Sequence, residues 1–175
     1  MPMIEYQETP QEAAKWLQLC LITEDNEPHA YLPLAWAIRN RVEWPRNAQF
    51  LHPEIPESYR SVILRAQQFS EFNDLTAAER LKPWEQVAEL VLRYRPGMFE
   101  RLMSHEDELC VQALHAATSV INYLRLFAPF SNRVLYFYAP ESMAPPGSQP
   151  TWWPRAVWNT IELPGLTRWK FGEVK

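Results

Sequence analysis

Sixteen prolines against only four glycines divide this chain more firmly than any other feature. Proline lacks an amide proton and has a fixed φ, so it is confined to first helical turns, loops and sheet edges. Thr9-Pro10-Gln11-Glu12 reads as a capping box with Pro10 at the first helical position, and Ala13, Ala14, Leu17, Cys20 and Leu21 then recur at helical spacing. A first helix is expected to about Ile22, followed by the polar residues Thr23, Glu24, Asp25, Asn26 and Glu27. A second is expected from about Leu32, with Pro33 in its first turn, Leu34, Ile38 and Val42 turned inward, and Trp44-Pro45 as its stop. Pro53 and Pro56 make Phe50 to Tyr59 a loop, and Ser58 to Ala66 offers a short helix.

Thr76-Ala77-Ala78-Glu79 is another capping box. Pro83 is expected to open a helix that buries Val87, Leu90, Val91 and Tyr94 and ends at Pro96-Gly97. Ser104 is expected to cap a long helix to about Phe127, with Leu109, Ala113, Ala116, Val120 and Leu124 on its apolar face. The last third changes character. Arg133 to Ala139 reads as a strand, Pro140 to Pro154 as a proline-rich loop, and Ile161 to Phe171 as short extended pieces. The chain should therefore be α+β and mainly helical, with a small β element late. No internal repeat or long linker divides residues 1–175, so one domain is expected.

A formal net charge of -4 opposes nucleic-acid binding, which normally presents a basic face to phosphates. No apolar stretch is long enough to span a bilayer. The first residues lack the basic and apolar segments of a signal peptide, so synthesis in the cytoplasm without self-directed export is expected. Cys20 and Cys110 lie far apart outside any CxxC pair and read as buried thiols. His29, His52, His105 and His115 form no HExxH, and no metal or cofactor is expected. Eight Trp, seven Tyr and eight Phe suit either a Trp-rich core or a surface that stacks flat ligand faces.

Glu24 and Glu27 flank Asp25 at the end of an apolar helix, where one carboxyl could be desolvated while its neighbours stay wet. A carboxylic acid kept protonated by apolar walls can protonate a glycosidic oxygen. The same spacing also describes a solvated acidic turn.

The run Ala35-Trp36-Ala37-Ile38-Arg39-Asn40-Arg41-Val42 is similar to an AVAxVILNRV helix, and Glu24 lies upstream in the place of the first glutamate of a GEARGE-like turn, with Glu27 in the place of its second. Gln68-Phe69-Ser70 matches a QFS-like segment, Leu135-Tyr136-Phe137-Tyr138-Ala139-Pro140 resembles a GAxYFYxP strand, and Trp152 or Trp153 stands near a later P-x-W feature. In this order the motifs resemble those of the SleB-type cell wall hydrolases, most strongly over residues 12–172. Thr23 and Arg133 stand where that family has glycine, and the acidic turn is shorter.

The resemblance implies a lysozyme-like domain with a groove between its helical body and a small β element. It also implies lytic transglycosylase cleavage of peptidoglycan, with Glu24 as acid and then base, and Glu27, Gln68, Ser70, Tyr136, Tyr138 and Trp152 as substrate contacts. A hydrolytic muramidase using Asp25 or Glu27, and an inactive virion or cell-wall binding protein, remain alternatives. Absence of an export signal fits a phage or prophage lysin, or a virion-associated enzyme; oligomeric state is left open.

Overall fold

The computed structural model describes residues 7–43, 58–65, 69–123 and 125–174. Helix α1 (Pro10–Glu24) begins as its sequence dictates: Thr9 Oγ1 accepts from the Glu12 amide at 3.2 Å, and the Glu12 carboxylate accepts from the Thr9 amide at 2.8 Å. It runs past the expected end, so Glu24 is its last residue. It is also buried on every side from Trp16 to Thr23 rather than along a stripe. Its one buried amide side chain, Gln18, is satisfied by donating to the Cys110 carbonyl at 2.8 Å.

Among the described residues α1 is followed by α2 (Tyr31–Glu43), α3 (Tyr59–Ile63), α4 (Ala77–Arg80), α5 (Trp84–Val91), α6 (Met98–Ser104) and α7 (Glu108–Asn122), of which α7, α3, α2 and α5 pack on it. Leu34 and Ile38 of α2 are buried as expected, and Val42 packs partly against the core. The Trp44-Pro45 stop, the loop from Phe50 and residue Ala66 lie outside the described residues.

Two expectations in this helical body are corrected. Tyr94 is exposed, because α5 ends at Val91 and Tyr94 falls in the following turn under the Arg93 guanidinium. Ser104 does not cap the long helix: it is the last residue of α6, a helix opened by Gly97 at φ 76° and closed by His105 at φ 59°. Asp107 is the cap instead, accepting from the Cys110 amide at 3.1 Å. The buried stripe of α7 is Cys110, Ala113, Ala117 and Val120, with Cys110 and Ala117 buried one step round from the expected Leu109 and Ala116; the helix ends at Asn122, short of Phe127, and Leu124 lies outside the described residues.

The late β element is an antiparallel sheet of β1 (Val134–Tyr138), β2 (Val157–Ile161) and β3 (Lys170–Val174) in the order β1-β3-β2. A short helix, α8 (Trp153–Ala156), leads directly into β2, so a strand starts where the extended pieces were expected to come later. Gly172 is required by packing: a Cβ there would lie 2.6 Å from Val157 and 2.7 Å from the Trp153 ring. The fold is thus mixed α+β with a small three-stranded antiparallel sheet. One apolar cluster runs from Ala13 on α1 to Phe171 on β3 and contains both cysteines, Cys20 and Cys110, as free buried thiols. Among the described residues no helix is long and apolar enough to cross a membrane.

Candidate active site

The end of α1 opens into a cavity of about 570 Å³, in the range of small-molecule and cofactor sites. One wall is polar and comes from α1, the turn at 70–72 and the turn carrying Arg95. The other is aromatic and comes from the end of β1 and the proline-rich loop.

Glu24 stands on the polar wall. It is half-buried, yet its Oε1 is fully covered and has no hydrogen-bond partner among the described residues. Desolvation is the largest cause lifting its pKa to about 8, and the negative charge of Glu71 adds to it; the Arg41 and Arg95 guanidinium groups pull the other way. The carboxyl is therefore largely protonated at neutral pH. In the core behind the cavity, burial pushes the Cys20 thiol well above its ordinary range, and the Glu24 charge adds to it.

Asp25, expected to be wet, is 3% exposed. Its Oδ1 accepts from Arg168 Nη1 at 2.8 Å and from the Glu27 amide at 2.9 Å, and its Oδ2 accepts from Trp169 Nε1 at 2.6 Å. The Tyr31 hydroxyl also donates to the Asp25 carbonyl at 3.0 Å. The chain bends at Asp25 so that its side chain turns in toward the segment before β3. Asp25 thus anchors the acidic turn, and Arg168 is shared with Glu141 of the proline-rich loop.

Glu27 is placed outside the cavity. Its amide is spent on Asp25, and its exposed carboxylate pairs with His29 at 3.3 Å. Gln68 lies outside the described residues. Ser70, Tyr138 and Trp152 do line the cavity with Glu24. Tyr136 does not; its ring lies behind Trp152 at 5.0 Å and beneath the Arg41 guanidinium. Phe137 reaches two environments: it lines the cavity and packs against Phe69, Trp169 and Phe171. A register irregularity between Val134 and Tyr136 breaks the simple alternation of the strand here.

Several cavity groups carry no local sequence signal. Arg95 donates to the Ile22 carbonyl at 2.8 Å and the Thr23 carbonyl at 2.6 Å, the final turn of α1, where no basic residue of that helix is present. It also meets Glu71 at 3.0 Å and Asn26 Oδ1 at 3.4 Å. Behind Glu24, Arg41 is ringed by Phe69, Tyr136 and Phe137 and donates to the Leu135 carbonyl. Glu71 directly follows Ser70 and Arg41 stands in the Ala35–Val42 run, whereas nothing near Arg95 in the sequence points to it.

Among the described residues no group of three or more His, Cys, Asp or Glu side chains is placed to hold a metal ion. The arrangement can deliver one proton from a desolvated acid into a cavity with an aromatic side. Compared with family models, curated proteins and solved structures, the chain matches none of them.

Proposed function

We propose that this protein cleaves the glycan strands of peptidoglycan by a lytic transglycosylase reaction on a lysozyme-like fold. The reading rests above all on Glu24: a carboxyl oxygen sealed from solvent and without a hydrogen-bond partner, on a protein acid whose pKa is raised to about 8, at the wall of a cavity large enough for sugar rings.

Glu24 gives its proton to the oxygen between N-acetylmuramic acid and N-acetylglucosamine, and the bond from that oxygen to the muramyl anomeric carbon breaks. The muramyl primary hydroxyl closes onto that carbon and returns its proton to Glu24, giving an anhydro ring. One carboxyl thus serves as acid and then base. Trp152 and Tyr138 offer aromatic faces to the sugars, and Ser70, its hydroxyl donated to Glu71, lines the same cavity.

Asp25 is held by three donors and Glu27 lies outside the cavity, which favours this route over a muramidase that uses either of them to activate water. Action on the cell wall as a phage or prophage lysin, or as a virion-associated enzyme, follows from the same reading. Digestion of purified sacculi followed by mass spectrometry tests it: anhydro-muramyl ends are expected. Reducing ends would instead identify a hydrolase, and intact sacculi that merely sediment with the protein would identify a binding protein.

A further inference from the structure

The acidic turn was the expected source of charge around Glu24, but the charged group fixed beside it comes from a different segment. Glu71 lies in the single helical turn Ser70–Phe72 and lines the cavity that Glu24 lines. Both of its oxygens are engaged: Oε1 with Arg95 Nη2 at 3.0 Å, and Oε2 with the Ser70 hydroxyl at 2.5 Å. The same Arg95 guanidinium binds the carbonyls of Ile22 and Thr23, the two residues immediately before Glu24, and reaches Asn26 Oδ1 at 3.4 Å. Arg95 and Glu71 are each about 28% exposed at the side chain, so the pair is held at the cavity wall rather than free in solvent. One planar guanidinium therefore ties the end of α1 to a carboxylate 24 residues away from it in sequence.

We infer that Glu71 is a positioning residue for Glu24: through Arg95 it fixes the helix end that carries Glu24, and it sets a negative charge at the same cavity wall. The inference rests on the proposed reading, in which Glu24 is the acid. The charged and titratable groups facing Glu24 are Cys20 of α1, Asp25, Arg41 of α2, Arg95 and Glu71. Asp25, though paired with Arg168, also opposes ionisation of Glu24 but less than Glu71 does, and Arg41 and Arg95 both favour it. Glu71 is then the main charge that opposes it, after burial. Without Glu71 the Arg95 cation would stand beside Glu24 unbalanced, and Glu24 would lose its proton at lower pH.

The test is Glu71→Gln, which keeps an oxygen for Arg95 but removes the charge. Glu24 is titrated directly through its side-chain carboxyl carbon by NMR, with Glu24→Gln to assign the signal, and lysis of sacculi is followed across the same pH range. The expected result is a Glu24 midpoint lower than in the native protein, together with lysis that survives on the acid side while its alkaline limb moves to lower pH. An unmoved midpoint in folded Glu71→Gln would overturn the inference, as would loss of lysis at every pH, which would make Glu71 a group acting on substrate.

If Glu71→Gln does not fold, Arg95→Lys decides, because lysine keeps the charge but lacks the fork that spans both carbonyls and Glu71. Turnover reduced several-fold with KM little changed is expected there, and native turnover would overturn the inference. The titration needs no peptidoglycan. A protein inert on sacculi whose Glu24 midpoint still falls in Glu71→Gln would contradict the proposed reaction and leave the positioning role standing.

Discussion

The two walls of the cavity are built on opposite terms. On the α1 wall every carboxylate but one is saturated: Asp25 by Arg168, Trp169 and the Glu27 amide, Glu71 by Arg95 and Ser70. Glu24 alone has a covered oxygen without a partner. The rest of the lining is rich in rings, among them Tyr138 and Trp152, which are backed from outside the cavity by Trp153 against Tyr138 at 4.7 Å and Tyr136 against Trp152 at 5.0 Å. An unpaired buried polar group costs stability, whereas stacked aromatics contribute to it. The contrast teaches where the proposed chemistry would be sited: the polar wall tolerates one unsatisfied acid because its neighbours are locked, and the aromatic residues would offer faces to a ligand without taking part in proton transfer.

The sharpest way to break this comparison is Glu24→Gln. The amide is nearly isosteric and cannot donate an acid proton, so lysis of purified sacculi should fall by about 10²- to 10⁴-fold with the fold intact by circular dichroism. A variant near native activity would remove Glu24 from the mechanism. Next comes Asp25→Asn, which puts a neutral amide in the buried place of the carboxylate and leaves the partly exposed Arg168 with Glu141 as its acidic partner. Thermal or denaturant unfolding should show a loss on the order of 3 kcal/mol, the usual size for breaking a buried ion pair. Native stability would mean that Asp25 does not anchor the turn.

On the aromatic wall, Trp152→Ala should weaken binding of glycan fragments by about 1 to 3 kcal/mol in calorimetry, with little change in stability because the residue is 45% exposed. Tight binding by the variant would move the sugar site elsewhere. Glu27→Gln should do least: its carboxylate lies outside the cavity, so lysis rates should stay within about twofold of native, in keeping with an exposed ion pair. Loss comparable to Glu24→Gln would instead point to a two-carboxylate muramidase.

Legibility in the sequence followed the range of the interaction. The start of α1 was readable because Thr9 and Glu12 cap it within one turn, and the same holds for Thr76 and Glu79 at α4. The break between α6 and α7 was not, because Ser104 and Asp107 are both good caps three residues apart, and the left-handed turn at His105 decides between them. The resemblance directed attention to Glu24, Ser70, Tyr138 and Trp152, which meet at one cavity. Arg95 lies 72 residues from Thr23, and Arg168 lies 143 from Asp25, so no local pattern joins them. Asp25 was misjudged for the same reason: its neighbours in sequence are polar, while its neighbours in space are Trp169 and Arg168.

The central claim is that Glu24 starts each reaction with its proton on. The raised pKa means that the protonated form persists up to about pH 8, where an ordinary glutamate would have ionised near its model value of 4.5. The most direct measurement is the pH–rate profile of sacculus lysis by the native protein, with the chemical step established as rate-limiting. An alkaline limb that falls as pH rises through about 8 is predicted. A profile flat from about pH 4 to about pH 9, or one already falling near the ordinary glutamate range, would contradict the account.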